Sequence, residues 1–155
     1  MGFLTVYNGI IETIQGITPT THSGTFFRPR AINSFLSIED AARAGHSRTF
    51  ELDLVKTGES PYISGGPVDF QSAQILLTIS YSLGSVRRPE ELQDMMSEDM
   101  RDIVGTLRIP ETWNSFAFEL YTDPEGPQGP EDVLNDNDEK AGYVMSYLIT
   151  AEWSN

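Results

Sequence analysis

The sequence predicts an α+β fold: one mainly antiparallel sheet with two helices packed on one face, in the order helix, strands, helix, strands. Three observations carry that expectation. Segments 3–17 and 89–108 repeat their apolar residues at helical spacing. Segments 48–56, 70–83 and 142–153 alternate theirs at the period of two of a half-buried strand. Stretches rich in Gly and Pro separate these segments. With 155 residues, 39% of them apolar, the chain has the length of one average domain, 1–155, and enough material to fill its core.

In the first segment Phe3, Tyr7, Ile10, Ile14 and Ile17 recur at steps of four and three, with Leu4, Val6 and Ile11 widening the stripe. Gly9 and Gly16 weaken this helix intrinsically, so it needs a packing partner, and Pro19 closes it. Residues 24–28 (GTFFR) form a candidate short strand. Ser37 and Asp40 stand at capping-box spacing ahead of a short helix that Gly45 stops. In 48–56, Phe50, Leu52 and Leu54 point one way, Glu51 and Asp53 the other. In 70–83, Ala73, Ile75, Leu77, Ile79 and Tyr81 share the buried face. The connection 57–69 is long for a hairpin and too rich in Gly and Pro to be regular.

Pro89 suits the first position of the second helix, Glu90, Glu91 and Asp94 complement its N-terminus, and Pro110 ends it. Its core face is Leu92, Met95, Met96, Met100, Ile103, Val104 and Leu107. A strand over 114–121 turns Phe116, Phe118 and Leu120 inward. The last strand, 142–153, is apolar on both faces and therefore central. The connection 122–141 reads as a long acidic loop, with seven acids against Lys140 alone.

The charge balance removes several function classes. Asp and Glu number 23 against ten Lys and Arg, a net charge of −13. Phosphate binding and attraction to anionic lipid both need clustered cations, so nucleic-acid and membrane-surface binding are disfavoured. No segment approaches the roughly 20 apolar residues of a membrane span, and the N-terminal segment lacks the pattern of a secretory signal, which points to a cytoplasmic site of synthesis. The absence of cysteine excludes disulfides, thiolate metal sites and thiol nucleophiles.

The motifs of catalysis are missing as well. The only histidines, His22 and His46, lie in loops, and no G-x-S-x-G is present. Gly65-Gly66 leads into Pro67 rather than into a helix, so it is no phosphate loop. Residues 135–139 (NDNDE) have the composition of a calcium loop without its spacing. The expectation is a protein with no catalytic, cofactor-binding or metal-ligating residues. Candidate contact residues remain. Tyr62 and Ile63 are apolar within a polar Gly/Pro loop, which suits a partner contact and equally a self-packed loop. Arg87-Arg88, like Arg28 and Arg30, fit either solvated turns or pairing with acids of another copy, such as Asp123, Glu125, Asp136 and Asp138.

Taken together, the helix FLTVYNGIIETIQGI, the strand RTFELDLV, the long Gly/Pro loop and the strand AQILLTISYSL open the chain. The helix PEELQDMMSEDMRDIVGTL and the strands FAFELYTD and YVMSYLITAEW complete it. This arrangement resembles the tail terminators and head-to-tail joining (neck) proteins of tailed bacteriophages. The resemblance lies in element order and covers nearly the whole chain. Segments 18–47 and 122–141 depart from it. It implies a non-enzymatic virion subunit, assembled in the host cytoplasm into a ring of about six copies. Such a ring caps the tail tube, joins it to the head connector and lets DNA pass without specific binding. A second reading of the acidic composition is a small decoy that binds a basic DNA-binding protein by imitating duplex charge.

Overall fold

The computed structural model describes residues 2–19, 48–59, 70–83 and 89–154. Its elements are α1 (Phe3–Gln15), β1 (Arg48–Glu59), β2 (Phe70–Ser82), α2 (Pro89–Leu107), a 3-10 turn (Pro110–Thr112), β3 (Glu119–Thr122), β4 (Gln128–Leu134) and β5 (Lys140–Ser154). The fold is α+β, and every strand pairing is antiparallel. The first helix precedes all the strands, and the second lies between β2 and β3. The candidate strand 24–28 and the short helix at 37–45 fall outside the described residues.

The strands run in the order β1-β2-β5-β3, with β4 also on β5. β5 is central, as its two apolar faces predict, and its outer edge is shared: β4 takes Lys140 to Ser146, β3 takes Ile149 to Glu152. Register sets Leu52 opposite Leu77, Leu77 opposite Tyr147, and Ile75 opposite Ile149, so one face carries a continuous apolar layer. Both helices touch this face. Phe3 of α1 stacks against Trp153 with ring centroids 6.1 Å apart, and the Tyr7 hydroxyl donates to the Leu52 carbonyl at 2.8 Å. α2 is tied to it through Asp99, which pairs with Arg48 at the start of β1. Val6, Ile10, Ile14, Leu92, Ile103 and Leu107 are wholly or almost wholly buried between the helices and the sheet.

Gly9 shows why α1 tolerates glycine. A Cβ at this position would overlap the Phe116 ring, so the missing side chain lets helix and ring meet.

Four expectations need correction. Segment 114–121 is strand only over Glu119–Thr122; residues 113–116 form turns after the 3-10 element. Phe116 is therefore buried by a turn, and Phe118 is 44% exposed rather than inward. Leu54 is exposed, next to the register shift that skips Val55 between Leu54 and Lys56. Met100 is exposed on the flank of α2. Segment 122–141 is not a single loop, since β4 folds it back onto β5 as a hairpin.

Candidate functional site

A groove of about 840 Å³ lies beside α2. It lies where the outer edge of β5 passes from one partner strand to the other: β4 pairing stops at Ser146 and β3 pairing begins at Ile149. Tyr147 and Leu148 occupy that gap and line the groove, together with the turn through Asp123, Pro124, Gly126 and Pro127. The Asp123 amide donates to the Leu148 carbonyl at 2.9 Å, which holds the turn across the gap.

The helical wall follows from sequence spacing. Ser97, Met100, Arg101, Val104, Gly105 and Arg108 recur at steps of three, one, three, one and three, which places them in one stripe along α2. The end of the groove is closed by Trp113, whose indole nitrogen donates to the Leu107 carbonyl at 3.0 Å. The indole bond satisfies a carbonyl that the helix end leaves open, and the Thr112 hydroxyl donates to the Thr106 carbonyl at 3.1 Å, which also accepts from the Ile109 amide. Arg101 and Arg108 stand seven residues apart, two turns along the same face. Arg101 is paired loosely with Glu98 at 3.7 Å, and both arginines are exposed. The opposite wall carries Glu119 and Asp123, so the groove is basic along the helix and acidic along β3.

Behind the groove lies a buried polar cluster. Arg48 Nε donates to Asp99 Oδ2 at 2.6 Å, and both side chains are sealed from solvent. Burial pushes the Asp99 carboxyl up from its ordinary value, with the bonded Arg48 guanidinium opposing the shift. The Tyr81 hydroxyl is pushed well up, first by burial and then by the Asp99 charge, and Tyr147 is raised by the same two causes. Neither phenol closes a hydrogen bond at ordinary distance, nor does Asp99 Oδ1. The Arg48–Asp99 pair ties α2 to the start of β1.

The second surface is the tip of the β4–β5 hairpin. Asn135 Oδ1 accepts from the Asn137 amide at 2.9 Å and the Glu139 amide at 3.0 Å, and the Asn135 amide donates to the Glu139 carbonyl at 2.8 Å. Asp138 takes the left-handed conformation, φ 58°, that the tight turn needs. These bonds fix the exposed carboxylates of Asp136, Asp138 and Glu139, with Leu134 beside them 56% exposed. At the base, Lys140 bonds Asp132 at 3.1 Å and the Tyr143 hydroxyl at 3.1 Å, and these two contacts raise the lysine's pKa.

The chain matches no protein-family model and no curated protein. Its site residues are therefore read from geometry. The four candidate acids separate into two pairs: Asp123 lines the groove with Glu125 next to it in the same turn, whereas Asp136 and Asp138 occupy the hairpin tip. Tyr62, Ile63, Arg87 and Arg88 lie outside the described residues, as do His22 and His46. Arg108 reads from the sequence as a cation suited to the C-terminus of the second helix, and Arg101 and Gly105 carry no signal beyond their spacing along the same helical face. The Arg48–Asp99 pair spans 51 positions and has no sequence signal. Among the described residues no cluster of three or more acids or histidines could hold a metal ion, and no helix is long and apolar enough to cross a membrane.

Proposed function

We propose that this protein is a non-enzymatic structural subunit of a phage virion, a tail terminator or neck protein that assembles into a closed ring. One observation carries the reading: a single subunit presents two unlike, separated surfaces, an arginine-walled groove and a preordered acidic hairpin tip. A ring needs such a pair, because its heterologous contact sets one patch of each subunit against a different patch of the next. A ring built from subunits of net charge −13 also repels phosphates, which suits a passage for DNA. In the decoy reading, acids line one face at phosphate-like intervals; here a large share of them sits in one hairpin and its preceding turn.

The test is tail-tube growth. Tail-tube protein polymerised with this chain present is expected to give tubes that stop growing and carry a ring at one end in electron micrographs. Unlimited growth with bare ends contradicts the proposal. Salt-sensitive capture of a basic DNA-binding protein by the monomeric chain favours the decoy instead.

A further inference from the structure

Gly105 lies inside α2, where glycine weakens a helix relative to alanine. Among the described residues, a Cβ added there would meet no atom within 4 Å. Nothing among the described residues requires the missing side chain, in contrast to Gly9, where a Cβ would overlap the Phe116 ring. Gly105 is also one of the groove-lining residues, between Arg101 and Arg108 on the same stripe. A bare backbone in the middle of a groove admits something from outside at close range.

Resting on the ring reading above, we propose that the groove receives the β4–β5 hairpin tip of a second copy of this chain. Leu134 fills the apolar part formed by Met100, Val104 and Trp113, and Asp136 and Asp138 meet Arg101 and Arg108. The acidic wall at Glu119 and Asp123 sets the orientation, turning the tip's carboxylates toward the helix and its Lys140 side toward β3. A subunit cannot satisfy itself in this way. The tip joins β5 at Lys140 and the groove opens at Leu148, so along an extended strand the two lie roughly 26 Å apart, with the hairpin running away from the groove. The contact is consequently between copies, and it is head-to-tail. The tip arrives with its turn already fixed by the Asn135 bonds, which lowers the ordering cost of docking.

The full chain tests this with two blocked forms. Gly105→Trp fills the groove and keeps the tip; Asp136→Lys with Asp138→Lys reverses the tip and keeps the groove. All three positions are exposed, so far-UV circular dichroism is expected to stay near that of the unaltered chain, with the thermal midpoint of the reversed tip lower because lysine replaces Asp138 at φ 58°. Each form alone is expected to self-associate at least about a hundredfold more weakly. Mixed in equal amounts they should give a one-to-one dimer and nothing larger by native mass spectrometry, because only one intact groove and one intact tip remain to each pair. Reversing both sides in one chain, with Arg101→Asp and Arg108→Asp added to the reversed tip, should restore the original oligomer. Blocked forms that assemble like the unaltered chain, or a mixture that grows beyond the dimer, overturn this contact while leaving the ring standing. A small molecule that co-purifies with the unaltered chain and is lost from Gly105→Trp, with assembly unchanged, overturns it too. An unaltered chain that stays monomeric alone and with tail tubes removes the ring reading itself.

Discussion

Gly9 and Gly105 both stand inside helices, and their surroundings give opposite predictions. Gly9→Ala adds a methyl group where the Phe116 ring already sits, so the variant should lose about 1–3 kcal/mol in urea unfolding despite alanine's better helix propensity. Gly105→Ala meets open space and should gain up to about 1 kcal/mol in the same measurement. The sequence shows both glycines as helix-weakening and cannot tell them apart, because the difference lies in what approaches from elsewhere in the chain. Arg48 and Asp99 make the same point. Removing one partner strands a buried charge, so Arg48→Met should cost about 3–5 kcal/mol, and Arg48→Met with Asp99→Leu should recover much of it. The pH dependence has a definite sign. Burial already raises Asp99, and loss of the guanidinium raises it further. A carboxyl whose folded pKa exceeds its unfolded one contributes stability below the unfolded value and loses it as pH rises through the folded value. Arg48→Met should therefore lose stability across that rise relative to the double variant, measured by urea unfolding at several pH values.

Among the elements, periodicity made α1, α2, β1, β2 and β5 legible, because each buries one face or both against the same core. β3 is shorter than its sequence pattern: Phe116, Phe118 and Leu120 alternate like a strand, yet Phe116 is buried by the turn that follows the 3-10 element. β4 is hidden in the sequence because Gln128–Leu134 holds Gly129, Pro130 and two acids and has no buried alternation. Those features suit an edge strand, where Pro and charge discourage further pairing. The turn residues at 135–139 were visible as an acidic cluster and not as a hairpin connection, since the hairpin signal requires recognising both flanking strands. At the end of α2, Trp113 is predicted to matter more for its indole nitrogen than for its bulk would suggest. Trp113→Phe leaves the Leu107 carbonyl without that donor and should cost about 1–3 kcal/mol, with faster amide exchange confined to the last turn of the helix.

For the whole molecule, the net charge of −13 acquires a location. Part of it is concentrated in the turn beside the groove and in the hairpin tip, at the two ends of one stretch of β5, while the basic residues Arg101 and Arg108 line a single helical wall. Sequence alone marked the acids as contact candidates; only the fold separates them into two groups and brings an arginine-lined groove into the account. That separation gives the subunit a head and a tail, which is what a ring requires. Sedimentation velocity of the purified chain, alone and with tail tubes, tests this most directly. A ring-forming subunit should give one closed species with a mass several times the 17.3 kDa of the subunit, without a ladder of larger forms. A chain that sediments only as monomer under both conditions would contradict it.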